Sequence, residues 1–211
     1  MMAGMNEPLW LTIARELQAI AQTGLTFTKD KFDQQRYERL RELAAQLLAH
    51  GASCDTDKVL DLLRGETGYA TPKIDVRGAA FRDGRVLMVR EISDGLWTLP
   101  GGWADVNQSA AECVEREIFE ESGFEARAIK LAAVHDYLKA GHPKRNLHSS
   151  YKMFFICEIT GGAASPSNET SEVAFFERDA LPPLSLGRTL PQQIERLFEH
   201  HRNLERPTDF D

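Results

Sequence analysis

Cysteine is scarce in this chain: Cys54, Cys113 and Cys157 are the only three in 211 residues, with no C-x-x-C spacing among them. A disulfide framework is therefore not expected, the opening residues do not read as a secretory signal, and reduced thiols in a cytoplasm fit the count. Long apolar runs are lacking too; none approaches the roughly 20 residues needed to cross a bilayer, so no membrane partner is expected. Positive charge is in deficit, 25 Lys and Arg against 32 Asp and Glu for a formal −7. Coating of a nucleic-acid backbone by bulk charge is excluded on that balance, although a local basic cleft is not. Internal repeats and low-complexity tracts are absent. What is present is a 42% hydrophobic content, enough for a globular core, in a length that suits one catalytic-sized domain with a small appendage.

The appendage is expected at residues 1 to 68 and reads as helical. In "PLWLTIARELQAIAQTGL", Trp10, Ile13, Leu17 and Ile20 recur at three- and four-residue steps, with Gly24 just past the expected end. A second helix follows with Asp30 as N-cap, a stripe of Tyr37, Leu40, Ala44 and Leu47, and Gly51 as C-cap. A shorter third spans "DTDKVLDLLRG". Three such helices bury little area alone, so their apolar stripe is expected to pack elsewhere on the chain or in a homodimer. Residues 7 to 66 carry eight Lys and Arg against ten Asp and Glu, which is not a basic reader of DNA.

"GETGYATPKID" breaks the helical period, and beyond it the pattern turns to strands, defining a second region over 69 to 211. "DVRGAAFRDGRVLMVRE" places Asp83-Gly84 between two apolar runs, a hairpin signal. Further strands are expected at 96 to 99, in "ARAIKLAAVHDY", in "YKMFFICEIT" and in "VAFFER", with a closing helix in "LPQQIERLFEHHRN". Mostly antiparallel strands with one interposed and one terminal helix predict an α/β/α sandwich on a mixed sheet, joined to a small all-α region.

The chemistry concentrates in "GGWADVNQSAAECVEREIFEESGF", five Glu and one Asp behind a double glycine. Ser109 and Glu112 form an S-x-x-E capping box, and Gly123 is placed to end the helix. At about 100° per residue, Glu117 and Glu121 lie ~40° apart and Glu120 ~60° to the other side, so the three carboxylates share one face. Val114 and Ile118 form a separate apolar stripe. Two readings of the acidic face are open: a solvated surface neutralised by basic neighbours, or carboxylates gathered to hold a hard divalent cation.

With "LWTLPGGW" directly ahead of that helix, the stretch resembles the Nudix box, G-x5-E-x7-R-E-U-x-E-E-x-G-U, where U is aliphatic or aromatic. Gly102 and Arg116-Glu117-Ile118-Phe119-Glu120-Glu121-Ser122-Gly123-Phe124 match it at every fixed position except the first Glu, which is Gln108. "TPKIDVRGAAF", "GLWTLPGGWAD", "NETSEVAFF" and "ALPPLS" extend the likeness to a bacterial subgroup with a helical N-terminal extension that includes CDP-choline and ADP-ribose pyrophosphatases.

That resemblance implies metal-assisted hydrolysis, with Mg²⁺ or Mn²⁺, of a nucleoside diphosphate linked to another group, X. Carried over by position, Glu117, Glu120, Glu121 and the Gly101 carbonyl would be metal ligands, Glu117 and Glu121 would serve catalysis, and Arg116 would orient the glutamates. A carboxylate outside the box often completes the site; Glu169 is the first choice for it and Glu172 the second. Gln108 cannot take a proton from water and is a weak cation ligand, so weaker auxiliary metal is expected. A non-catalytic nucleotide-sugar sensor and an enzyme acting on RNA ends are the competing readings.

Other residues are candidates for substrate contact. Arg77 sits amid small and apolar strand residues and needs a partner; Lys144 and Arg145 lie in the loop "HPKRNLHSS" with His142 and His148, which also reads as solvated surface. Trp97, Trp103 and Tyr137 are candidates for stacking on a base or ribose, with core packing an equal reading for Trp97. His50, His135, His200 and His201 show no ligand-like spacing.

Overall fold

The computed structural model describes residues 8–143 and 146–211. The chain divides into two compact units between Pro72 and Lys73.

The first unit is three helices, α1 (Leu9–Phe27), α2 (Lys31–Ala52) and α3 (Thr56–Gly65). Asp30 caps α2 as expected, accepting from the Phe32 and Asp33 amides. The two glycines read as stops are not stops. Helix α1 runs through Gly24 and α2 through Gly51, because each glycine makes room for an aromatic ring: a Cβ would fall 2.4 Å from Tyr37 at Gly24 and 2.5 Å from Trp10 at Gly51. The buried face of α1 also differs from the expected stripe. Leu11, Ala14, Gln18, Ala21 and Gln22 face inward, the two amides donating to the Leu63 and Thr67 carbonyls, while Ile13 and Ile20 are exposed. Small residues let α1 and α2 approach closely, which leaves the larger apolar side chains outside.

The second unit is a mixed sheet between helices. Its strands are β1 (Lys73–Arg82), β2 (Arg85–Glu91), β3 (Trp97–Thr98), β4 (Phe124–Asp136), β5 (Ser150–Gly162), β6 (Thr170–Phe176) and β7 (Asp209–Phe210), with α4 (Ala110–Ser122) and α5 (Pro191–Arg202) between them. The order is β3-β2-β1-β5-β4-β7, with β6 beside β2; β1 and β5 run parallel, as do β4 and β7, and the other pairs are antiparallel. Asp83 and Gly84, at φ 51° and 71°, make the two-residue left-handed turn that the right-handed twist of a hairpin favours.

Alternation along β1 and β5 builds two cores. Val76, Ala80, Phe155 and Cys157 pack against Val114 and Ile118 of α4. Ala79, Phe154 and Ile156 pack against Ile194, Leu197 and Phe198 of α5. Each fully buried Val or Ile of α4 contributes roughly 1.5–3 kcal/mol, enough to hold its acidic face in a fixed position over β1.

Candidate active site

Helix α4 starts where its chemistry dictates. Ser109 Oγ accepts from the Glu112 amide while the Glu112 carboxylate accepts from the Ser109 amide, and Gly123 closes the helix at φ 76°. This fixes the rotation of the helix, so Glu117, Glu120 and Glu121 all turn toward one cavity of about 870 Å³ in the second unit.

The segment before the helix forms the opposite wall. It pairs with β1 through Val76 N–H to the Gly102 carbonyl (2.8 Å) and Gly78 N–H to the Pro100 carbonyl (2.9 Å). Gly101 adopts φ 141°, and a Cβ there would stand 2.0 Å from the Val76 carbonyl oxygen, so only glycine fits. Its N–H donates to Glu121 Oε2 at 2.9 Å. A Cβ on Gly102 would come 3.1 Å from the Glu117 carboxylate. The double glycine thus brings bare backbone against two of the three glutamates.

Glu121 is 6% exposed. Burial pushes its carboxyl up to about 8, against the pull of Arg77 and of the Gly101 N–H. Burial also raises Glu117, with Arg116 pulling it back. Arg116 meets Glu120 at 2.6 Å, Asp105 at 2.8 Å and Glu117 at 2.9 Å. Its Nε donates to Gln108 Oε1 at 3.2 Å. Gln108 therefore supplies a neutral acceptor to an arginine already facing three carboxylates, and it does not line the cavity.

Among the described residues no three His, Cys, Asp or Glu side chains converge as a closed metal cage, since Arg116 draws Glu117 and Glu120 and the Gly101 N–H draws Glu121. The donor set nevertheless fits a hard divalent ion: it is all oxygen, and Glu121 is a buried carboxylate with one backbone N–H as its hydrogen-bond partner. The described lining of the cavity carries eight carboxylate side chains and four cationic ones. An anionic diphosphate would be repelled by that excess unless cations came with it.

Residues 72–197 match the family model described as "NUDIX domain". The chain belongs to the Nudix hydrolases. Residues 8–63 match a second model, described as "UDP-X-like, N-terminal oligomerisation domain". The chain is 46% identical over 202 residues to a Bacillus subtilis (strain 168) protein that carries the name "Putative ADP-ribose pyrophosphatase YjhB", covering 96% of this chain and 97% of that one. A solved ADP-ribose pyrophosphatase of Streptococcus suis 89-1591 is 39% identical at a TM-score of 0.61, over 67% of this chain and all of that one. A solved UDP-X diphosphatase is 34% identical at a TM-score of 0.62, over 96% and 98%.

In this Nudix hydrolase the residues singled out from the sequence gather unevenly. Gly101, Arg116, Glu117, Glu120, Glu121, Glu169, Arg77, Trp103 and Tyr137 all line the one cavity. Glu172 does not; it pairs with Arg90 at 2.6 Å on the surface. Trp97 is core, edge-on to Phe176. Lys144 and Arg145 lie outside the described residues. His142 is buried rather than solvated, and no histidine lines the cavity among the described residues.

Arg77 has its partner: Nε and Nη2 bond the two oxygens of Asp75 at 2.9 and 3.0 Å, and Nη1 donates to the Leu99 carbonyl. Burial opposes its charge, but Asp75 holds it protonated. Sequence reasoning missed Asp75, Glu91, Lys152 and Arg188, all of which line the cavity. Lys152 carried the same signal as Arg77, a lone cation in an apolar strand. Arg188, which bridges Glu91 at 3.0 Å and Asp94 at 3.2 Å, lies in an irregular segment that gave none.

Proposed function

We propose that this Nudix hydrolase cleaves the diphosphate bond of nucleoside diphosphates linked to a second moiety, releasing a nucleoside monophosphate and the phosphorylated X group. The observation that carries the reading is the buried Glu121 carboxylate held by the Gly101 N–H beside Glu117 and Glu120, in a cavity with an excess of acid. The names of its relatives favour ADP-ribose and UDP-linked substrates; a CDP-choline type is the remaining option from the sequence.

Glu117, Glu120, Glu121 and the Gly101 carbonyl would hold Mg²⁺ or Mn²⁺. Bound there, the cation would supply charge to offset the phosphate oxygens and would lower the pKa of the attacking water. The chain's own groups do the rest. Arg116 orients Glu117 and Glu120; Glu169, in the loop just ahead of β6 and open to the cavity, accepts the proton of the attacking water. Trp103, about half exposed on the rim, offers a face to a base. Arg77 braces the floor through Asp75 and the Leu99 carbonyl instead of reaching outward.

The exposed apolar face of α1, Ile13, Ile20 and Phe27, together with the match of residues 8–63 to an oligomerisation domain, supports a homodimer built through this unit. None of the described helices is long and apolar enough to cross a membrane, and three free cysteines suit a reducing cytoplasm.

The reading is tested with ADP-ribose, a UDP-sugar, CDP-choline, a dinucleoside polyphosphate and short RNA, each with Mg²⁺ or Mn²⁺, products separated chromatographically. Metal-dependent release of a nucleoside monophosphate from a diphosphate is expected, and its failure with every substrate would refute the proposal. Release from RNA alone would favour the competing activity.

A further inference from the structure

Where β1, β5 and the end of β4 adjoin, the cavity is lined by a second polar group of residues. Asp75 and Lys152 are direct partners across the parallel β1–β5 register, and Lys152 Nζ donates to Asp75 Oδ1 at 2.8 Å. Ser150, two residues earlier on β5, shares that face. Tyr137 follows the last residue of β4, its amide bonded to the Ser150 carbonyl at 3.0 Å. Lys152 Nζ sits 5.8 Å from the Tyr137 ring centre. Tyr137, Ser150 and Lys152 are 3%, 2% and 1% exposed, and all three line the cavity.

Two of these groups are unpaired. Tyr137 Oη and Ser150 Oγ are buried with no hydrogen-bond partner among the described residues. A buried hydroxyl without a partner costs about 1–3 kcal/mol, and here both belong to residues that line a ligand-sized cavity. Lys152 adds unspent donors, since its ammonium has three N–H groups and one bonds Asp75. Asp75 pairs with both Arg77 and Lys152, so its carboxylate is shared and does not consume all of the lysine's donors.

The chemistry of that set selects its ligand. Tyr137 Oη and Ser150 Oγ each need a donor as well as an acceptor. A phosphate accepts only and would leave their lone pairs unsatisfied. A quaternary ammonium offers neither donor nor acceptor and would leave both hydroxyls and the lysine N–H groups unpaired. A sugar hydroxyl both donates and accepts, and a vicinal pair spans two such groups.

We propose that Tyr137, Ser150 and Lys152 form a recess that reads sugar hydroxyls, so that this enzyme selects nucleoside diphosphate sugars by a ribose or hexose hydroxyl pair. The proposal rests on the hydrolytic reading of the same cavity. The pair belongs either to the nucleoside ribose or to the sugar of X. A site built to bond a hydroxyl discriminates strongly against an analogue that lacks it, because its own buried groups are then left unpaired.

The test uses three substrates: ADP-ribose, its counterpart lacking the nucleoside 2′-hydroxyl, and ADP carrying a plain alkyl chain in place of the second ribose. Each is measured with the wild type, Tyr137→Phe and Ser150→Ala. Tyr137→Phe removes only Oη and keeps the ring that stacks on His142 at 4.4 Å. The expected result is a fall in kcat/KM for ADP-ribose of about tenfold or more, the cost of one lost buried hydrogen bond. For the analogue that lacks the recognised hydroxyls the variants and the wild type converge, and which analogue does so identifies the source. An equal loss on all three substrates, marking a structural role, or no loss on any, marking a recess filled by water, would overturn the proposal. If the wild type turns over none of them, the hydrolytic reading fails separately. Calorimetric binding of ADP-ribose with Mg²⁺ then decides the recess: weaker binding to Tyr137→Phe upholds it, and equal or absent binding refutes it.

Discussion

Gly101 and Glu121 hold each other: the glycine N–H donates to the carboxylate at 2.9 Å, and the backbone that aims this N–H is one a side chain at 101 would forbid. The neighbouring glycine has a different duty, so the two alanine variants separate. Gly101→Ala forces a Cβ into the Val76 carbonyl and is expected to lower the melting temperature sharply, with backbone strain of about 1–3 kcal/mol before the clash is counted. Gly102→Ala meets first the carboxylate end of the Glu117 side chain, at 3.1 Å, and no backbone atom as near. It is expected to retain the fold and lose turnover, and thermal melts beside kinetics distinguish the two.

Glu121→Gln keeps an oxygen for the Gly101 N–H and removes the ability to ionise against a cation. Its turnover is expected to fall by more than the roughly 10–100-fold that a supporting outer partner of a metal site is worth, with no loss of melting temperature below about pH 8, since burial already holds the metal-free carboxyl largely neutral there. Activity equal to wild type would remove Glu121 from the site.

Glu169 and Glu172 are three residues apart, yet only Glu169 faces the cavity. Glu169→Gln is expected to lower kcat by about 100-fold or more, the share a positioned general base supplies. Glu172→Gln breaks an exposed pair with Arg90 and should stay close to wild type. Kinetic parallels between the two variants would refute the base assignment.

Gln108 sits with Arg116 and away from the cavity. Gln108→Glu is expected to change kcat by less than about tenfold, ~1.4 kcal/mol of barrier. A rise of several orders of magnitude would mean that the natural residue cripples the enzyme and would favour the sensor reading.

His142 supplies a pH dependence of stability. Its Nδ1 faces the Leu186 carbonyl at 2.7 Å and its Nε2 the Gln193 amide nitrogen at 3.2 Å, an amide fixed because its oxygen accepts from the Leu190 N–H. The neutral ring with its proton on Nδ1 satisfies both contacts. Burial holds the ring down to about 4 from the usual 6.5, with Lys152 and Arg77 opposing its charge and Asp75 favouring it. The unfolded chain therefore takes up a proton that the fold refuses between those values. The contribution is complete above about pH 6.5 and is lost as the pH falls toward 4. Melting curves across that window should slope more steeply for wild type than for His142→Gln; equal slopes would refute it.

Features that rest on local chemistry were legible in the sequence. The Ser109–Glu112 box, the Asp83-Gly84 turn and the shared face of Glu117, Glu120 and Glu121 each depend on residues within a few positions of one another. Gly24 and Gly51 were misread because glycine ordinarily ends a helix, and only the tertiary approach of Tyr37 and Trp10 gives these two another use. Asp75 and Lys152 were invisible as a pair for a related reason: 77 residues separate them, and the parallel register of β1 and β5 brings them together. The Tyr137–Ser150 recess likewise exists only once β4 and β5 are aligned.

Arg116 stands among Asp105, Glu117 and Glu120 as a resident counter-charge. On the proposed metal-dependent reading, that pairing would let the chain fold before any cation arrives, and loading would follow folding and be reversible. A chelator should then silence the enzyme without unfolding it, and a returning ion competes with the arginine for the glutamates. The same guanidinium would set how readily one metal is exchanged for another.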